Sequence, residues 1–209
     1  MELEQAAPAG AMELCELRPR AEAEFIERLK RGEAGAFEEL VAARSGEVYG
    51  LLFRLTENSE EARDLTQETF LRAFQSIGGF RGEADLRTWI YRIAINQARN
   101  RWRWWRRRSR DTTVSLDATQ GQSGLTVVST LAESSANPEQ QTLAHERELA
   151  LRSALQKVGR HYRETVILRD IEGFTYEEIA TTLGINVGTV KSRLARGRQE
   201  LRRKLEGSL

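Results

Sequence analysis

The sequence is poor in the residues that build covalent, metal-bound or membrane structure. A single cysteine, Cys15, cannot form an internal disulfide, and with only His145 and His161 beside it no structural zinc site is expected. No stretch approaches the roughly 18 uninterrupted apolar residues of a membrane span. The first residues, MELEQAAPAG, are acidic and lack an apolar core, so no signal peptide is expected. These absences predict a cytoplasmic protein with no direct membrane insertion. Net charge is also nearly missing, since 32 Lys and Arg face 31 Asp and Glu. With 40% hydrophobic and 30% charged residues, the chain has too many apolar groups and too little net charge to be disordered. Its 209 residues fit one large domain or two small ones.

The balanced total hides a segregation. Residues 1–65 hold 15 acids and 8 bases, whereas residues 99–110 (RNRWRWWRRRSR) hold seven arginines and no acid. Residues 111–150 are acidic again, with six acids against Arg147 alone. Residues 191–204 then hold seven bases against Glu200. One basic block is readily explained as a solvated helix end. Two, each beside a helix with its own pattern, are the electrostatic footprint expected where a protein meets phosphate backbones.

Apolar periodicity divides the chain. Residues 1–20, with Pro8, Gly10 and Pro19, read as a flexible tail. From Ala21, apolar residues recur every three or four positions: Phe25, Ile26, Leu29; Phe37, Leu40, Val41; Val48, Leu51, Leu52, Leu55. Ser59 is expected to cap a helix carrying Leu65, Phe70 and Phe74, which Gly78-Gly79 ends. A further helix begins near Asp85. Leu86, Trp89, Ile90, Ile93, Ala94 and Ala98 form its predicted buried stripe, which Trp102 and Trp105 would continue. Arg92, Asn96, Arg99 or Asn100, and Arg103 line the opposite side. Residues 109–138, with six Ser, five Thr and two Gly, read as a linker. As a flexible coil it would span roughly 30 Å relaxed and about 100 Å stretched. Helical periodicity then returns from residue 139 to the end. No alternation would hold a sheet. The expected fold is all-α, with two small helical domains, 21–108 and 139–209, joined by the linker.

The segment FTYEEIATTLGINVGTVKSRLARGRQELRRKL carries the sharpest local pattern. Thr175 and Glu178 form a capping box that opens a short helix with Ile179, Ala180 and Leu183 on its apolar face. Gly184 suits a left-handed C-cap, and Ile185 is placed to plug the core beneath the turn. Asn186 can cap a second helix anchored by Val190, Leu194, Leu201 and Leu205. Its remaining positions, Thr189, Lys191, Ser192, Arg193, Arg196 and Arg198, are polar and mostly cationic. This is a helix-turn-helix whose second helix suits the major groove of DNA. An ordinary helical hairpin would not require the basic stripe.

From about Ala21 to Leu205 the chain resembles the bacterial RNA polymerase sigma factors of the extracytoplasmic-function group. AFEELV, EEARDLTQETFLRAF and GGFRGEADLRTWIYRIAINQARN are similar to that family's second region. RETVILRDIEGFTYEEIATTLGINVGTVKSRLARGRQEL is similar to its fourth. Two long motifs in the right order are far more specific than a lone helix-turn-helix. The resemblance implies an alternative sigma factor, active in stress responses, whose partners are core RNA polymerase (β′ clamp and β flap), promoter DNA as duplex and as melted non-template strand, and an anti-sigma factor. By the same resemblance Asp64, Leu65, Gln67 and Glu68 bind the polymerase. Phe80, Arg81, Arg92, Asn96, Arg99, Asn100 and Arg103 hold the melted downstream element. Arg169, Thr189, Lys191, Ser192, Arg193, Arg196 and Arg198 bind the upstream element.

Two departures stand out. Val158-Gly159 occupies the place where the family often has a Leu-Pro turn. The run Trp102-Arg103-Trp104-Trp105 is more aromatic than the family leads one to expect. Trp104 falls on the Arg/Asn side, where stacking on DNA, packing on polymerase and covering the linker are all open. Arg/Trp clusters also suit membrane interfaces, but the helix leading into this cluster is committed to a core. The sequence has no Walker-type phosphate loop and no Ser/His/Asp or Cys/His set, so no catalytic residue, metal or cofactor is expected. The competing reading is a stand-alone helix-turn-helix regulator of operator DNA, which would not require the Asp64–Glu68 patch or the Asn96/Asn100 face.

Overall fold

The computed structural model describes the backbone of residues 21–111 and 138–206. The tail and nearly all of the expected linker lie outside these residues, as does Cys15. Among the described residues the regular structure is entirely helical: α1 (21–30), α2 (Ala34–Thr56), α3 (Ser59–Ser76), α4 (Leu86–Asp111), α5 (Pro138–Gln156), α6 (Arg160–Val166), α7 (Tyr176–Leu183) and α8 (Val187–Glu206). The described residues form two compact units, 21–98 with 180–184, and 99–111 and 138–179 with 185–206. The division falls inside α4, which continues past Arg108 to Asp111. At the other edge of the linker Pro138 is the first residue of α5, a position where its missing N–H costs nothing.

In the first unit, α1 ends where Gly32 takes φ +73°, a conformation glycine adopts without steric cost. Leu40, Val48, Leu51 and Leu52 of α2 are buried together with Ala62, Leu65, Phe70 and Ala73 of α3. Each fully buried leucine is worth about 1.5–3 kcal/mol against exposure, so these two helices form a substantial core. Helix α3 is capped by Asn58, whose side chain accepts from the Glu61 amide at 3.0 Å, and not by Ser59. Asn58 is the residue with extended backbone at the helix entrance, which is the geometry a cap requires. A 3-10 turn, Ile77–Gly79, then closes α3.

Helix α4 starts where Asp85 accepts from the Thr88 amide. Leu86, Trp89, Ile90, Tyr91, Ala94, Ile95 and Gln97 are buried along it, while Ile93 and Ala98 are half-buried. The stripe does not extend to the helix end. Trp102 and Trp105 are 45% and 54% exposed, contrary to the sequence expectation. Packing on α4 stops before its last turns, so periodicity persists there without a core to receive it.

In the second unit, Gly159 precedes α6 in extended conformation, and its amide donates to Glu200 of α8 at 3.1 Å. Leu155, Val166 and Leu194 form a buried cluster against which Tyr176 and Leu201 pack. Helix α6 runs into a π turn, Ile167–Ile171, closed by the Glu172 amide donating to the Ile167 carbonyl at 3.0 Å. Such turns are rare and insert one residue into the helical count.

Candidate polymerase and nucleic-acid surfaces

The expected polymerase face lies on α3. Asp64 and Gln67 are exposed. Glu68 is half-buried, accepting from Arg72 at 2.8 Å and from Gln97 at 3.3 Å. Leu65 does not join this face: it is 2% exposed and belongs to the core. Its contribution is to seat α3, since Asp64 and Gln67 flank it on the helix. Leu71 and Phe74, apolar residues on the same helix, are exposed. The Phe74 ring meets Phe37 edge-on, with centroids 5.0 Å apart. Asp64, Gln67, Leu71 and Phe74 thus follow spacings of three, four and three along one outward stripe. The spacing is legible in the sequence, but residue type alone does not say that this leucine and phenylalanine face outward.

The loop before α4 combines exposure with a shaped hollow. Phe80 is buried and packs edge-on against Trp89, with centroids 5.3 Å apart. Trp89 is therefore a core residue, as its place on the stripe predicts. Arg81 is exposed at the loop tip, where Gly82 adopts φ +73°. Gly79, Phe80, Arg81, Glu83, Trp89 and Arg92 line a pocket of about 340 Å³. Beyond it Arg92, Asn96, Asn100 and Arg103 are all exposed, at spacings of four, four and three on α4. Arg103 donates to the Asn100 carbonyl oxygen, which orients that amide. Arg99 differs from the other four. It forks onto Glu164, with the closest contact at 2.6 Å, and Arg160 meets the same carboxylate at 3.0 Å. Glu164 is 2% exposed, so two guanidinium groups compensate a buried charge that would otherwise be costly.

The helix-turn-helix has the expected caps. The Thr175 amide donates to Glu178, and the Glu178 amide returns a bond to the Thr175 hydroxyl at 3.2 Å. Gly184 takes φ +66° at the turn. The Asn186 side chain accepts from the Thr189 amide at 2.7 Å, opening α8. Ile185 is half-buried beneath the turn, Val190 and Leu194 are buried, and Leu201 and Leu205 are half-buried.

The seven residues expected at the upstream element fall into two groups. Lys191, Ser192 and Arg196 are exposed on α8, with Arg193 half-buried beside them. Thr189 is tied to Asn186 through both its amide and its hydroxyl. Arg169 and Arg198 are engaged internally. Arg169 donates to the Phe174 carbonyl at 2.7 Å and lies 5.1 Å from the Tyr176 ring centroid. Arg198 forks onto Asp170 at 3.0 and 2.5 Å, a hydrogen bond that raises its already high pKa. Arg169 and Asp170, the partner of Arg198, both sit in the π turn, whose extra residue sequence periodicity does not reveal.

No group of three or more His, Cys, Asp and Glu side chains able to hold a metal occurs among the described residues. No described helix is long and apolar enough to cross a membrane.

Comparison with known proteins matches the chain to one family. Residues 40–110 match Sigma-70 region 2, and residues 148–201 match Sigma-70 region 4. The chain is 34% identical over 183 residues to the RNA polymerase sigma-H factor of Pseudomonas aeruginosa, covering 88% of this chain and 93% of that protein. It is also 34% identical over 181 residues to the ECF RNA polymerase sigma factor SigW of Bacillus subtilis, covering 86% and 94%. Among solved structures, CnrH in complex with the cytosolic domain of CnrY shares the fold, with a TM-score of 0.64 at 22% identity over 90% of this chain and 99% of that one. So does the sigma factor RpoE of Bartonella quintana in complex with the anti-sigma factor NepR, with a TM-score of 0.60 at 24% identity over 81% and 96%. With both regions present in order and relatives matched over nearly their full length, the chain belongs to the extracytoplasmic-function group of bacterial RNA polymerase sigma factors.

Proposed function

We propose that this chain is an alternative sigma factor that joins core RNA polymerase and directs it to a specific set of promoters. The observation that carries this reading is the pairing of two different DNA-competent surfaces in one chain. Helix α8 presents Lys191, Ser192 and Arg196 outward from a fully capped helix-turn-helix. Helix α4 presents Arg92, Asn96, Asn100 and Arg103 beside a pocket. A duplex reader needs the first surface and has no use for the second.

The division of labour follows from the side chains. A helix fits the major groove, where Arg and Lys donate to base edges or phosphates and a hydroxyl can do either. Unpaired strands are held differently, by amides bonding exposed base edges and by guanidinium groups against bases and phosphates. The pocket beside Phe80, Arg81 and Trp89 suits a single base turned out of the stack. Melting is driven by the binding free energy of these contacts, and the chain itself performs no catalysis. Asp64 and Gln67, with the apolar Leu71 and Phe74 on the same stripe, form the surface that docks on polymerase. An anti-sigma protein is the expected regulatory partner.

Run-off transcription with sigma-free core polymerase on fragmented genomic DNA from the source organism tests this reading. Defined transcripts are expected with the native chain and are expected to vanish with an Asp64→Ala/Gln67→Ala double variant. Absence of transcripts, together with tight binding of the chain alone to duplex DNA, would identify an operator-binding regulator instead.

A further inference from the structure

The last turns of α4 hold exposed aromatic rings that none of the surfaces above uses. Trp104 and Trp105 are 41% and 54% exposed, and their rings meet edge-on with centroids 5.0 Å apart. The Arg108 guanidinium lies 5.1 Å from the Trp104 ring centroid. Trp102 is spoken for, since Arg106 and Arg160 lie 5.1 and 4.5 Å from its ring. No acid occurs from residue 99 to 110.

Position on the helix connects this cluster to the proposed strand-binding face. Arg92, Asn96, Asn100, Arg103 and Arg107 are all exposed, and at about 100° per residue they stay within an arc of about 80°. Trp104 lies immediately beside that line, about 12 Å along the axis from Asn96. Trp105 meets its ring edge-on and Arg108 lies over it. A propped indole flanked by two exposed arginines has the composition of a single-strand binding point: a π-face for a base and guanidinium groups for the adjoining phosphates.

We propose that Trp104, with Arg103 and Arg107, stacks an unpaired base of the promoter strand beyond the Asn96/Asn100 face and so lengthens the stretch of melted DNA the chain holds. This rests on the reading of α4 as the strand-capturing helix. An anionic lipid surface fits less well, because an interfacial helix needs a continuous apolar face and the earlier turns of α4 spend theirs inside a helical core.

The test uses holoenzyme reconstituted with core polymerase and fork-junction DNA from a promoter mapped by run-off transcription, its non-template strand unpaired through the downstream element. Trp104→Ala is expected to weaken fork binding by about 5- to 150-fold, the range seen when a base–aromatic stack is truncated. Trp104→Tyr should retain most of the affinity. Trp104→Leu, which keeps apolar volume without a π-face, should behave like the alanine variant. An abasic site scanned along the unpaired strand should weaken the native holoenzyme at one position where it leaves Trp104→Ala unaffected. Helix content and core-polymerase binding should be unchanged in all three variants.

Native fork affinity in Trp104→Ala and Trp104→Leu, alongside a loss in Asn96→Ala, would overturn the proposal and leave the reading of α4 intact. Native affinity in Asn96→Ala as well would remove that reading itself. Lost core-polymerase binding by folded Trp104→Leu would assign the rings to polymerase and overturn the proposal. Trp104-dependent sedimentation with phosphatidylglycerol vesicles, with fork binding unchanged, would overturn it in favour of a lipid surface.

Discussion

At the scale of single residues, Gly197 shows how closely α8 approaches its neighbour. It is buried on the stripe that holds Val190 and Leu194. A Cβ added there would lie 2.8 Å from Val166 Cγ2 and 3.2 Å from both the Tyr162 Cβ and its backbone oxygen. A backbone contact cannot rotate away, so Gly197→Ala should destabilise the protein by about 1–3 kcal/mol, measurable as a lower midpoint in denaturant. The arginines of α8 are not equivalent. Arg196 is exposed, whereas Arg198 is paired with Asp170. Arg196→Ala should weaken binding to the cognate upstream element by about 1–3 kcal/mol if it reads a base. An equal loss on every sequence would make it a phosphate clamp. Arg198→Ala removes a half-exposed ion pair and should cost stability by about 0.2–1 kcal/mol, with less effect on sequence preference. Competition binding against unrelated duplexes separates these outcomes.

At the scale of elements, α4 performs two tasks on opposite sides. One side is filled with Leu86, Trp89, Ile90, Ala94 and Ile95. The other offers Arg92, Asn96 and Asn100 to solvent. Because Asn96 is exposed, Asn96→Ala should leave the closed complex intact and impair strand opening. Permanganate reactivity of unpaired thymines measures this directly, and unchanged reactivity would remove Asn96 from that role. Helix α3 shows the converse limit. Sequence places Leu65 beside Asp64 and Gln67, but that Leu65 turns into the core while Leu71 and Phe74 face outward depends on which neighbour covers each. Capping was more legible. The Thr175/Glu178 box, Gly184 and Asn186 all act over three or four residues, within reach of local inspection. Asn58 also acts locally, and it caps α3 in place of the adjacent serine that the sequence favours.

At the scale of the whole molecule, the two proposed DNA-binding surfaces gain from acting on one partner, because the second contact becomes intramolecular once the first has formed. B-DNA completes a turn in about 10–10.5 base pairs. Inserting five base pairs between the two promoter elements therefore presents one of them on the opposite side of the helix. Transcription by the holoenzyme should fall sharply on that template and recover with a ten-pair insertion only if the chain can reach the added length. Run-off transcription across a spacer series measures it, and equal output at every spacing would show that the two surfaces are not used together.

Family, helical class, the two-region order and the charge blocks were determined by the sequence alone, because each depends on local periodicity or on motifs read within one segment. Tertiary structure decided what those patterns cannot: the burial of Leu65 and Phe80, the exposure of Leu71, Phe74, Trp102 and Trp105, the notch at Gly197, and the pairing of Arg99 with Glu164 and of Arg198 with Asp170. The physical reason is the same throughout. A side chain's spacing says which face of its helix it occupies, but only the packing of distant segments says whether anything covers that face.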